Sequence, residues 1–118
     1  MLSSENASLL HFVAQLCYNK FVREVFFTKD AVRQFKRLPK PIRPLIKDAI
    51  RLHLIEADPS EVTRNRFRLR RASEHADYEL RADNWRIFYR VDGDRVIITL
   101  LGEKVGSRLI IEGEDIRL

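Results

Sequence analysis

Between Tyr78 and Gly102 the chain reads YELRADNWRIFYRVDGDRVIITLLG, and its apolar and polar positions alternate with a period of two. That alternation predicts three short antiparallel strands with a buried face. Trp85, Ile87, Tyr89 and Val91 fall on one parity, and Arg86, Phe88 and Arg90 on the other. Asp83-Asn84 breaks the first run and Asp92-Gly93 the second; an Asp-Gly pair supplies the positive φ angles of a tight hairpin. In the third run Val96, Ile98 and Leu100 alternate with Ile97, Thr99 and Leu101, so both parities are apolar. A strand of that kind is central and covered on both faces. Arg81, Arg86 and Arg90 are thereby set beside a hydrophobic sheet rather than within it.

The remaining segments supply the helices and outer strands. Leu9, Leu10, Phe12, Val13, Leu16 and Cys17 recur at helical spacing behind Ser3, Ser4, Glu5 and Asn6, which predicts a docked helix to about Tyr18. Phe21 to Phe27 reads as a strand. Thr28 is a good N-cap, Asp30 suits a first turn, and Val32, Phe35 and Leu38 mark the buried face of a helix that ends before Pro39. A second helix, with Pro44 in its first turn, carries Leu45, Ile46, Ala49, Ile50, Leu52 and Leu54 to about Ala57. Arg64 to Arg71 (RNRFRLRR) is a strand candidate, Ala72 to Asp77 a loop, and Arg108 to Ile111 a final strand before an acidic tail. The expected fold is α+β, a two-helix hairpin packed on a small, mostly antiparallel sheet with an extra N-terminal helix. Residues 1–20 form the helical extension and 21–118 the body.

Composition narrows the function. The 118 residues carry 22 Lys and Arg against 17 Asp and Glu, a net charge of +5. This balance favours an anionic partner such as nucleic acid or an acidic protein segment. The single cysteine, Cys17, excludes an intrachain disulfide and a cysteine zinc cluster. No apolar run approaches ~18 residues. The start, MLSSENASLLHF, carries Glu5 and no basic residue before its apolar part, unlike a signal peptide. A cytoplasmic protein with no membrane partner is expected.

Enzyme signatures are sparse. No phosphate-binding glycine loop, nucleophile elbow or HExxH motif is present, and no metal or cofactor is expected. Ser73, His75 and Asp77 alternate in one short loop, where they cannot line up as a triad. Lys40, Arg43, Lys47 and Arg51 form a basic stripe on the second helix, either a solvated face or a phosphate-facing one. Arg66, Arg68 and Arg70 share one strand parity, where mutual repulsion would be relieved by a covering polyanion. With Arg81, Arg86, Arg90, Lys104, Tyr78, Trp85 and Tyr89 they form an array suited to gripping phosphates and stacking RNA bases. Trp85 also fits an inward-facing core aromatic, and Tyr78 and Tyr89 could serve as phenolic acid or base if strongly perturbed.

At these residues the chain resembles the RelE/ParE superfamily of type II toxins. The resemblance rests on REVFFTKDAVRQFKRLP, the helical hairpin, NRFRLR, the block from Tyr78 to Gly102, and the basic residue Lys104 after Gly102, covering about Val22 to Ile111. It implies a toxin held inactive by a cognate antitoxin. The resemblance is closer to the RelE branch, whose toxins cleave messenger RNA on the ribosome, the substrate's 2′-hydroxyl attacking the adjacent phosphate; the alternatives are the ParE branch, which inhibits DNA gyrase, and a toxin fold retaining only antitoxin binding. The resemblance makes Arg86, Lys104 and Arg81 the catalytic candidates. Arg66, Arg68, Arg70, Arg90, Tyr89 and Tyr78 are candidate RNA contacts. Two departures from the nuclease pattern stand out. Asp77 and Glu79 stand where lysines precede the Leu-Arg pair, and an aliphatic residue near Ile110 replaces a base-stacking tyrosine. Glu79 or Asp77 then becomes a candidate general base.

Overall fold

The computed structural model describes residues 12–15, 22–70 and 76–116. Strands β1 (Phe12–Gln15) and β2 (Val22–Phe27) lead into helices α1 (Lys29–Lys36) and α2 (Ile42–Ile50). Six strands follow: β3 (Arg66–Arg68), β4 (Tyr78–Ala82), β5 (Trp85–Asp92), β6 (Arg95–Val105), β7 (Arg108–Ile111) and β8 (Glu114–Asp115). The sheet order is β1-β2-β6-β5-β4-β3, with β7 added to the far half of β6 and β8 to β7. Among the described residues only β2 and β6 run parallel. The expected α+β architecture is present. Phe12–Gln15, however, pairs with Val22–Val25 as a strand, not as part of a helix. The rest of the expected N-terminal helix, and the loop residues 71–75 with Ser73 and His75, lie outside the described residues.

Thr28 begins α1 as its spacing predicts. Its hydroxyl accepts from Ala31 N at 3.2 Å and donates to Thr99 O at 3.1 Å, tying the helix start to the central strand. Val32, Phe35 and Leu38 are buried, with Phe35 edge-on to Phe27 at 5.8 Å. At the far end Arg43 donates to the carbonyls of Lys36 and Leu38, satisfying acceptors that the end of α1 leaves open. Arg51 pairs with Asp48 and Glu56, and Lys47 lies 5.7 Å from the Phe35 ring centroid. Three members of the basic stripe are therefore engaged locally. After Ile50 the backbone widens into one π-helical turn, Arg51–Ile55, which buries Leu54 and Ile55.

The core lies between the helices and one sheet face. Val25, Phe27, Leu80, Ile87, Tyr89, Val96, Ile98 and Leu101 meet Val32, Phe35, Ile46, Ile50 and Leu54 there. No helix among the described residues is long and apolar enough to cross a membrane. Two-residue turns join the successive strands from β4 to β8. Gly93 takes φ 63° and Asp83 φ 54°, while Asp92 ends β5 opposite Arg95. The turn between β7 and β8 places both Glu112 (φ 53°) and Gly113 (φ 85°) in the left-handed region.

Glu112 is an uncommon residue for that conformation, and its side chain explains its presence. Its carboxylate accepts two bonds from Arg33 at 2.8 and 2.9 Å, one from Arg37 at 2.8 Å and one from Gln34 at 3.4 Å. Gln34, itself buried, accepts Leu101 N at 2.7 Å. The β7–β8 hairpin is thus latched to α1 and through it to β6. The Arg33 bond, helped by Gln34 and by the charges of Arg33 and Arg37, lowers the Glu112 carboxyl from 4.5 to about 2. A depressed carboxyl contributes stability that is fully present above the unfolded value and lost as pH falls through the folded one. Between pH 5 and pH 2 the urea midpoint should therefore fall more steeply in the natural protein than in Glu112→Gln, and parallel curves would refute the latch.

Candidate functional site

The sheet face opposite the helices carries a groove of about 430 Å³ lined by Leu69, Glu79, Arg86, Phe88, Lys104, Ser107, Arg108, Leu109, Asp115 and Ile116. Strand register explains its chemistry. Glu79 lies opposite Phe88, and Arg81 opposite Arg86, across the β4–β5 pair. Arg86 in turn faces Gly102 on β6. On β7, Leu109 is the partner of Lys104. These residues point away from the helices because Leu80, Ile87 and Leu101 between them are buried in the core.

Glu79 is the hub. Its Oε2 accepts from Arg81 Nε at 3.0 Å and from Arg86 Nε at 3.1 Å. Glu79 and Arg86 are largely buried, with side chains 16% and 13% exposed, while Arg81 is 45% exposed. Arg86 Nη1 also donates to Asp83 O at 2.8 Å and Trp85 O at 3.0 Å. Burial pulls the Arg86 guanidinium below its ordinary pKa, Glu79 opposes the shift, and Arg81 adds to it. Arg81, Arg86, Lys104 and Arg108 set four cations against the carboxylates of Glu79 and Asp115, so the face is net positive. Arg108 pairs with Asp115 at 3.4 Å across the hairpin. The Gly102 position is tight: a Cβ there would lie 2.8 Å from Ile111 Cγ1 and 3.0 Å from Ile110 O.

Of the sequence candidates, Arg86 and Lys104 line this groove, Arg81 joins them through Glu79, and Arg90 shares their strand face. The arginines expected as one open row on β3 are placed differently by the fold, and Arg66 is buried. Arg66 lies opposite the buried Leu80, so its parity is the helix-covered one. It is 3% exposed and donates to His53 O at 2.6 Å and Glu61 O at 2.9 Å, with Glu61 Oε1 at 3.4 Å. Arg68 shares its parity and is folded onto Tyr78, 5.3 Å over the ring with a 3.0 Å bond to the hydroxyl. Arg70 is exposed just beyond the strand.

Tyr89 is fully buried, its ring stacked on Tyr78 at 5.3 Å and its hydroxyl donating to Pro59 O at 2.6 Å. Burial pushes that phenol well above 10, opposite to what acid–base work near neutrality needs. Tyr78 and Tyr89 therefore brace the core face instead of meeting a ligand in the groove. Trp85 packs against the core, as its parity predicts.

Glu79, at the centre of the site, was readable from the pattern. Alternation through Glu79-Leu80-Arg81 and the Asp83-Asn84 turn together place Glu79, Arg81 and Arg86 on one face. Phe67, beside Glu79 on β3, carries Arg81 over its ring at 4.0 Å. Apolar residues on an edge strand give no such signal in sequence.

A sequence-family model described as the ParE toxin of type II toxin–antitoxin systems matches residues 25–104. The crystal structure of the toxin–antitoxin complex RelBE2 from Mycobacterium tuberculosis contains a similar chain. The two are 26% identical with a TM-score of 0.50, and the match covers 68% of this chain and 95% of that one. No curated protein matches.

The buried role of Arg66 has a direct consequence. Arg66→Met would strand the carbonyls of His53 and Glu61 without donors, and should cost about 2–4 kcal/mol in urea unfolding. A loss below ~0.5 kcal/mol, the scale of an ordinary surface change, would contradict it.

Proposed function

The chain belongs to the family of ParE toxins of type II toxin–antitoxin systems, and we propose, from the chemistry of its groove, that it is a toxin that cleaves messenger RNA, with the groove around Glu79, Arg86 and Lys104 as its cleavage site. The observation that carries this reading is the placement of one carboxylate between two guanidiniums in a cationic groove that also holds a lysine. Cleavage by the RNA's own 2′-hydroxyl needs three things: an acceptor for the hydroxyl proton, cations for the charge growing on phosphorus, and a donor for the leaving oxygen.

Glu79 takes the proton from the 2′-hydroxyl. Arg86, fixed by Asp83 and Trp85 carbonyls, stabilises the charge on the non-bridging oxygens. Lys104 protonates the departing 5′-oxygen. The O2′–P bond forms as the P–O5′ bond breaks, leaving a 2′,3′-cyclic phosphate and a 5′-hydroxyl. Arg81 holds Glu79 from its open side. The nucleophile belongs to the substrate, so this route consumes no cofactor.

The partners of this reading are a cognate antitoxin and, for cleavage, a message held on the ribosome. Support for the antitoxin comes from the similar chain's place in a toxin–antitoxin complex. An acidic and apolar segment would suit a groove that mixes Arg86, Lys104 and Arg108 with Leu69, Phe88 and Leu109. Gyrase inhibition is the second reading. The Arg86 guanidinium already faces a carboxylate and two carbonyls, which weakens its call on phosphate, and a binding toxin needs no nuclease site.

In a ribosome-programmed translation reaction, the protein should release fragments ending in a cyclic phosphate. Glu79→Gln should slow this by about 10²–10⁴-fold, and Arg86→Ala by about 10²–10³-fold. Cleavage at the natural rate by the Arg86→Ala, Lys104→Ala double variant would overturn the assignment. Intact messages together with arrested supercoiling by purified gyrase would establish the second reading.

A further inference from the structure

Phe67 sits on edge strand β3 directly opposite Glu79, on the groove side of the sheet. Arg81 lies over its ring, Cζ 4.0 Å from the centroid. The same guanidinium is held at its Nε by Glu79 at 3.0 Å, and its backbone N–H donates to Asn65 O at 2.8 Å. The ring beneath, the carboxylate at the edge and the strand pairing behind fix the group, yet the side chain remains 45% exposed. A guanidinium held against a ring and half open has a weakly hydrated outer face, the kind on which nucleobases stack.

We propose that Phe67 and Arg81 form a nucleobase-binding platform, in which a splayed RNA base stacks on the outer face of Arg81 while Phe67 supports it from below. The inference rests on the reading of the chain as an RNA-cleaving toxin and adds to it the place where a base is gripped. Register supplies the geometry. Arg81 is the direct cross-strand partner of Arg86, one strand spacing or about 5 Å away along the sheet, and both guanidiniums bond the same Glu79 oxygen. A nucleotide whose phosphate meets Arg86 can lay its base on Arg81. Glu79 serves both halves, as proton acceptor toward the groove and as the clamp that keeps Arg81 over the ring. Platform residues of this type tolerate any base, because every base offers a π face.

The probe is a short 2′-O-methyl oligonucleotide, which cannot be cleaved because its nucleophile is blocked, carrying either a single 2-aminopurine or an abasic position. Stacking should quench the 2-aminopurine fluorescence on binding to the natural protein and to Phe67→Tyr, which keeps the ring. Phe67→Leu should lose the quenching. Removing the base should weaken binding about tenfold in the natural protein, the scale of one stacked base, and by less than twofold in Phe67→Leu. Binding and RNA cleavage by a natural protein that neither quenches the probe nor notices the missing base would overturn the platform alone. A natural protein that cleaves message on the ribosome yet does not bind the oligonucleotide would overturn the platform alone, whereas one that does neither would overturn the platform together with the RNA-cleaving reading.

Discussion

A one-residue irregularity in β6 decides what the groove contains. The β5–β6 register shifts between Phe88, opposite Leu100, and Tyr89, opposite Ile98, leaving Thr99 as the extra residue. Before the bulge, Val96 and Ile98 point into the core; after it, Leu101 does. Without the bulge, even-numbered positions would stay on the core side and Lys104 would be driven toward the helices. With it, Lys104 joins Arg86 in the groove. The bulge is pinned from both sides. Thr99 donates to Phe88 O at 3.2 Å, while Thr28, the N-cap of α1, bonds Thr99 O through its hydroxyl and Ile98 O through its N–H. Helix start, strand register and groove chemistry are thus one connected set of contacts.

The site that results balances opposing charges. A groove of cations alone would attract phosphate strongly but offer no proton acceptor. Glu79 is that acceptor in the proposed reading, and its ion pairs neutralise part of the field of Arg81 and Arg86. Partial burial strengthens each of these interactions relative to water. The wall of the groove comes from the β7–β8 hairpin, which Arg33, Arg37 and Gln34 hold through Glu112. The strained turn at Glu112 persists because two arginines and an amide converge on its carboxylate.

Much of this was legible in the chain. The β4–β6 meander follows from period-two alternation with turn residues at Asp83 and Gly93. The first helix follows from Thr28, Val32, Phe35 and Leu38. The bulge was hidden because Leu100 and Leu101 are both apolar, so a slip of one residue leaves no mark in the hydrophobic pattern. Arg66 was misplaced for a related reason. Alternation says that Arg66, Arg68 and Arg70 share a side, but only the pairing of Arg66 with Leu80 tells which side the helices cover. Phe12 and Val13 belong to a segment that is apolar at helical spacing and is drawn into a strand by pairing with β2, a tertiary preference that local pattern does not carry. Alternation and the Asp83-Asn84 turn set Glu79 on the face of Arg81 and Arg86, while its bonds to both guanidiniums follow from the β4–β5 register.

The most direct measurement is to induce the protein without an antitoxin in a bacterium and map messenger-RNA 5′ ends across the transcriptome. New 5′-hydroxyl ends at fixed positions relative to the codon frame, lost when ribosomes are kept off the message, are the predicted result. Growth arrest with messages left intact would contradict RNA cleavage at the Glu79–Arg86–Lys104 groove.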